Sequence, residues 1–99
     1  MEMFTMTTYK IAHIHEQGQD LIIIPLNDQF EHTTDEEKAG LELHLQRCAT
    51  SAGLRGHVVL VWPVGAGMKF LAPPAWHPFV RSLTLHAVHE LINRELHCD

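Results

Sequence analysis

The run Val58-Val59-Leu60-Val61-Trp62-Pro63-Val64-Gly65-Ala66-Gly67-Met68-Lys69-Phe70-Leu71-Ala72-Pro73-Pro74 decides the fold class of this chain. Its first five residues are aliphatic or aromatic and mostly β-branched, the side chains that pack best on a pleated surface. Gly65-Ala66-Gly67 supplies the positive φ of a tight reversal, and Met68 to Ala72 returns as a second strand. Pro73-Pro74 ends it, because neither proline donates a ladder hydrogen bond and the first restricts its neighbour to extended geometry.

The same pattern recurs towards the N-terminus. Tyr9 to Glu16 is extended in character, and Asp20 to Leu26 carries the dense run Leu21-Ile22-Ile23-Ile24. Gln17-Gly18-Gln19 between them predicts a hairpin turn, and Pro25 belongs at an edge or at a strand terminus. Between the two hairpins, Thr33-Thr34-Asp35-Glu36-Glu37 predicts a capped helix start. Its apolar stripe is Leu41, Leu45, Cys48 and Ala52, and Gly53 followed by Leu54 fits a left-handed cap. Gly40 inside this helix costs on the order of 1 kcal/mol relative to alanine.

Beyond Pro74, Trp76-His77-Pro78 leads into an expected second helix from about Phe79 to Leu96. Val80, Leu83, Leu85, Ala87, Val88, Leu91, Ile92 and Leu96 spread over more than half its circumference, wider than one sheet face covers. The fold class expected is α+β: a ββαββα two-layer sandwich, with a four-stranded, mainly antiparallel sheet and two helices on one face. Residues 1–8, with alternative starts at Met3 and Met6, are expected to form a disordered or extended tail before a single domain over 9–99. The open sheet face and the over-wide last helix leave apolar surface that a homodimer would bury.

Composition limits function. Ninety-nine residues suit one core. Twelve acidic against seven basic side chains give a net charge of −5, which disfavours phosphate backbones and anionic membranes, so neither a nucleic acid nor a membrane is an expected partner. The chain is histidine-rich, and protonating all nine imidazoles would carry the net charge to about +4. With no basic start, no apolar leader core and no run of roughly twenty apolar residues, a cytoplasmic location is expected. Cys48 and Cys98 match no disulfide framework or metal motif, so reduced thiols are expected.

The segment Trp62, Phe70-Leu71-Ala72-Pro73-Pro74, Trp76-His77-Pro78-Phe79, Ser82-Leu83 and Asn93-Arg94-Glu95-Leu96, with the opening Thr7-Thr8-Tyr9-Lys10-Ile11-Ala12, resembles a group of small bacterial proteins of unassigned function. The resemblance implies a compact bacterial single-domain protein and carries no activity. Its Trp-His-Pro-Phe corner fixes the direction of the following helix, and Trp62, Phe70, Trp76, His77 and Phe79 are the candidate ligand pocket.

Metal chemistry has two candidate pairs. His13 and His15, two apart on a strand, project from one face; His86 and His89, three apart on a helix, share another. Neither pair matches a His-Glu-x-x-His zinc helix. His44 precedes Cys48 by one turn, the spacing of an activated thiol, but the helix stripe directs that sulfur into the core. No cofactor cradle is present: Gly65-Ala66-Gly67 lacks the following helix that would hold phosphate. The leading expectation is a non-enzymatic binding or interaction protein, self-associating and taking a protein or a small apolar ligand. The alternatives are a histidine-based enzyme using a divalent metal, and an acidic immunity or inhibitor protein that plugs a basic partner.

Overall fold

A computed structural model describes residues 7–98. Five strands, β1 (Thr7–Glu16), β2 (Gln19–Pro25), β3 (His57–Val64), β4 (Gly67–Leu71) and β5 (Arg94–Cys98), form one sheet in the order β4-β3-β2-β1-β5. Three helices accompany them: α1 (Asp35–Ser51), α2 (His77–Arg81) and α3 (Leu85–Leu91). The class is α+β and the sheet is mixed: β2 and β3 run parallel, and the other three pairings are antiparallel. Among the described residues no helix is long and apolar enough to cross a membrane. Thr7 and Thr8 of the expected tail are extended and pair with Cys98 and His97; the rest of that tail lies outside the described residues.

Both expected hairpins form. Gln17 and Gly18 take positive φ of 53° and 77°, which gives the two-residue loop the twist that matches its flanking strands. Gly65-Ala66 closes β3 onto β4, with Val64 opposite Gly67. The α1 start is the expected capping box: Thr34 Oγ1 accepts from Glu37 N at 3.0 Å, and Glu37 Oε1 accepts from Thr34 N at 2.9 Å. At the other end Leu54 N donates to Ala49 O at 2.9 Å, which closes the helix as a Schellman turn. Ala49, not Ala52, completes the buried stripe.

The layering differs from expectation. Ile11, Ile22, Ile24, Val58, Leu60, Trp62, Leu96 and Cys98 pack with Leu45 and Ala49 of α1. Their neighbours along the same strands, Ala12, Leu21, Ile23, Val59 and Val61, pack with Trp76, Val80 and Val88. The sheet is therefore covered on both faces, by α1 on one and by α2 and α3 on the other, instead of carrying two helices on one face. This explains why Leu21 to Ile24 and Val58 to Trp62 do not alternate: strands enclosed on both sides need apolar residues at every position. The open face that suggested a dimer is occupied by the chain's own C-terminal third.

The expected helix from Phe79 to Leu96 is three elements. Ser82 Oγ donates to Phe79 O at 2.6 Å, and Thr84 Oγ1 accepts from Ala87 N at 3.0 Å as the cap of a new helix. These short polar side chains compete for helix backbone groups and restart the helix in a new phase. Asn93 then turns the chain onto the edge of β1. Its backbone N–H donates to Ile11 O, its side-chain Nδ2 donates to His13 O at 2.8 Å, and its Oδ1 accepts from His13 N at 2.9 Å. The fifth strand follows, burying Leu96 and Cys98 against α1. The wide apolar spread on one imagined helix was thus the sum of two opposite faces of the sheet.

Gln46 of α1 ties the start of β3, its Nε2 donating to Gly56 O at 3.0 Å and its Oε1 accepting from Val58 N at 2.8 Å. Gly56 has φ +121°, and a Cβ there would run into the Asp20 carbonyl. Gly56→Ala is expected to destabilise by about 2 kcal/mol or more, since strain and a backbone clash act together. Gly40→Ala meets nothing within 4 Å and is expected to stabilise by about 0.5–1 kcal/mol. Urea unfolding of both variants checks the pair; a neutral Gly56→Ala would remove the close approach of β2 and β3 as a constraint.

Candidate functional site

The candidate site lies beside the edge strand β4, where a short 3-10 turn, Asp28–His32, precedes α1. The turn forms because Asn27 Oδ1 accepts from Gln29 N at 3.0 Å, and it buries Phe30. Phe30 meets Trp62 edge-to-face at 4.8 Å between ring centres. Glu31 then points at β3 and β4. Its Oε1 accepts from Trp62 Nε1 and its Oε2 from Lys69 Nζ, both at 2.8 Å. These bonds, the one from Lys69 foremost and that from Trp62 next, hold the Glu31 carboxyl below its ordinary value.

Lys38 closes one end of the cleft. Its Nζ donates to Glu31 O at 3.1 Å and Thr33 O at 2.6 Å, and lies 5.4 Å and 5.9 Å from the centres of the Phe30 and Trp62 rings, within reach of a cation–π attraction. His77, at the start of α2, stands edge-on to Phe70 at 5.1 Å. A carbonyl only accepts, so the 2.9 Å contact of His77 Nε2 with Ala72 O makes Nε2 the protonated nitrogen and leaves Nδ1 as the acceptor of the neutral ring. The cleft between these walls holds about 570 Å³ and is lined by Trp62, Phe70, His77, Lys69 and Arg81 among others. A smaller cleft of about 280 Å³ adjoins it through Met68, Phe70 and Arg81.

Of the five candidate pocket residues, Trp62, Phe70 and His77 meet in this cleft. Trp76 and Phe79 do not line it: they contact each other edge-to-face at 6.0 Å beneath α2, on the opposite sheet face from Trp62; Phe70 packs on that opposite face too, so the cleft wraps the edge of β4 from one face to the other. Glu31, Lys38, Lys69 and Arg81 are not among the candidate pocket residues expected from the sequence. Glu31 and Lys38 sit in a stretch that resembles an ordinary polar loop and helix face, and only the pairing of β3 with β4 brings Lys69 beside Trp62.

Among the described residues neither histidine pair belongs to a cluster of three or more candidate ligands. His13 Nε2 donates to Arg55 O at 2.8 Å, and His15 Nδ1 pairs with Asp20 Oδ1 at 2.7 Å. That hydrogen bond holds the Asp20 carboxyl below its ordinary value. His86 and His89 are exposed on α3, where His86 Nε2 lies 3.4 Å from Glu90 Oε2. A different cluster forms on the α1 side. Cys48 and Cys98, expected as separate thiols, are joined in a disulfide with Cα atoms 5.7 Å apart, because β5 returns along β1 and carries Cys98 against α1. His44 Nε2 lies 3.2 Å from Cys98 Sγ and 3.9 Å from Cys48 Sγ.

Comparison of the chain with known protein families, with curated proteins and with solved structures finds no match.

A carboxyl whose value is depressed on folding contributes stability that is present above the ordinary carboxylate range and is lost as pH falls through the folded value. Unfolding midpoints of the native chain are therefore expected to fall between about pH 5 and pH 3. Glu31→Gln is expected to be less stable at pH 7 and to show a smaller drop on acidification. An unchanged acid drop in Glu31→Gln would place the pH sensitivity elsewhere, with Asp20→Asn as the next substitution to measure.

Proposed function

We propose that this chain is a small, cytoplasmic, non-enzymatic binding protein of bacterial type. Its ligand is a small molecule with a flat apolar body and an anionic group, held in the cleft beside β4. The observation that carries this reading is the meeting of Trp62, Phe70 and His77 with Lys69 and Arg81 in one open cleft. Aromatic edges supply area at low entropic cost, and a few placed polar groups supply orientation. Cationic side chains in the lining, Lys38, Lys69 and Arg81, outnumber the carboxylates Glu31 and Asp35, although the chain as a whole carries −5.

Among the described residues Arg81 makes no ion pair. Its guanidinium fork suits a carboxylate or phosphate. In this reading Glu31 is a positioning group for Lys69 and Trp62. A carboxylate doing general acid or base work near neutrality needs its value raised, and Glu31 is shifted downward by two donors. With both sheet faces covered, a homodimer would pair through an outer strand edge or an outer helix surface, where Leu43 of α1 and Leu91 of α3 are exposed.

The test is a thermal-shift and tryptophan-fluorescence titration with aromatic carboxylates and the matching neutral amides. Carboxylates are expected to raise the melting temperature and change the emission, and Arg81→Ala is expected to weaken them by about tenfold or more, the value of one charge-assisted contact. Equal binding of the amides would overturn the anionic assignment. The absence of any shift with either series would overturn the ligand reading.

A further inference from the structure

We propose that the Cys48–Cys98 disulfide gates a metal site. In the reduced protein His44, Cys48 and Cys98 bind one thiophilic divalent cation of the zinc type. The three ligand atoms, one imidazole nitrogen and two sulfurs, lie within 4.8 Å of one another. A tetrahedral zinc ion with Zn–S of about 2.3 Å and Zn–N of about 2.0–2.1 Å places nitrogen and sulfur about 3.6 Å apart and two sulfurs about 3.8 Å apart. The observed nitrogen–sulfur distances, 3.2 Å and 3.9 Å, straddle the first value. Only the two sulfurs have to separate, and a side-chain rotation of the half-buried Cys48 towards its cleft does this without moving the sheet.

Place in the fold favours a cation. His44 and Cys48 stand one turn apart on α1, so they face the same direction, and Cys48 lies in the last turn of that helix. The negative end of the helix dipole lies there, which disfavours a bare thiolate and favours a metal ion that neutralises it. Cys98 is buried, where a bare thiolate is disfavoured and a metal ion would stabilise it. Beside them, a cleft of about 340 Å³ lined by His44, Arg47, Cys48, Ser51 and His97 gives water access to the fourth coordination position.

Reduction consumes two electrons and two protons. Two molecules of a low-molecular-weight monothiol supply them and leave as their own disulfide, and the Sγ–Sγ bond becomes two thiols. Binding the divalent cation then expels both thiol protons, so uptake is proton-coupled and weakens as pH falls. The oxidised chain has no thiolate to offer and does not form the site.

Cobalt(II) alone is the probe, added to the full chain after reduction and removal of the reductant, and in parallel to the oxidised chain. The reduced chain is expected to bind one equivalent with intense tetrahedral visible bands and a sulfur-to-cobalt charge-transfer band in the near ultraviolet, displaced by one equivalent of zinc. The oxidised chain, identical in sequence, is expected to show neither. Cys48→Ser and Cys98→Ser are expected to lose the charge-transfer intensity contributed by one sulfur. His44→Gln, at an exposed position, is expected to weaken binding by more than the about tenfold that loss of an outer-shell partner costs. A reduced chain without the charge-transfer band, or with one that His44→Gln leaves unchanged in affinity, would overturn the proposal.

Discussion

The rest of the structure depends on the parallel pairing of β2 with β3. Ile22, Ile23 and Ile24 lie beside Val58, Val59 and Leu60 in the middle of the sheet, and all are buried, as are Leu21 and Val61 that flank them. Two strands running in the same direction cannot be joined by a tight turn, so the segment between them must cross over a face, and α1 is that crossover. Once α1 covers one face, the alternate side chains Leu21, Ile23, Val59 and Val61 still need cover. The segment after β4 provides it, through Trp76, Val80 and Val88. The positions of α2 and α3, and hence the cleft they make with β4, follow from that need.

Polar side chains fix what the apolar layers leave undetermined. Non-directional burial would tolerate a slipped crossover, but Gln46 uses both ends of its amide on Gly56 and Val58, which sets α1 against the start of β3. Asn93 does the same for the C-terminal strand through both ends of its amide on the backbone of His13. Glu31 joins the turn before α1 to β3 and β4 by way of Trp62 and Lys69. Each bridge is individually modest, on the order of 1 kcal/mol net. Their value lies in register: each holds separate elements at one defined separation. The Glu31 bridge also has a chemical consequence, since it places a lysine and an indole at the mouth of a cleft without leaving their polar atoms unpaired.

The hairpins, the α1 capping box and the central strands were legible in the sequence because local chemistry decides them. A two-residue turn needs positive φ whatever surrounds it, and Thr34 caps with Glu37 whatever α1 packs on. The C-terminal third was not legible in the same way. Its apolar residues fit one broad helix as well as two short helices and a strand, and only the hydrogen bonds of Ser82, Thr84 and Asn93 choose between them. The surplus of apolar surface was visible, but a sequence does not say whether a second chain or a later segment covers it. Trp62, Phe70 and His77 were read as pocket residues from their aromatic character. Their polar partners come from four separate elements and have no spacing to be read.

Cys98 shows what such a misreading conceals. Placed at the end of a helix it is a terminal thiol with no partner, whereas on β5 it shares the buried face with Leu96 and meets Cys48. The resulting disulfide spans a sequence separation of 50 residues, and a loop of that length is worth about 4 kcal/mol in the chain-entropy account. That is a large share of the 5–15 kcal/mol typical of a whole domain. β5 has few means of its own to hold its place: it is five residues long, it lies at the sheet edge, and it buries only Leu96 and Cys98. A reducing environment would therefore loosen the tie of β5 to α1. A metal ion held by His44, Cys48 and Cys98 would restore the same tie between α1 and β5, at the same sulfurs, by a bond that forms only when the disulfide is open. The two states would then differ in what occupies the junction and not in where the strand lies, so the fold could pass between oxidising and reducing conditions with its sheet intact.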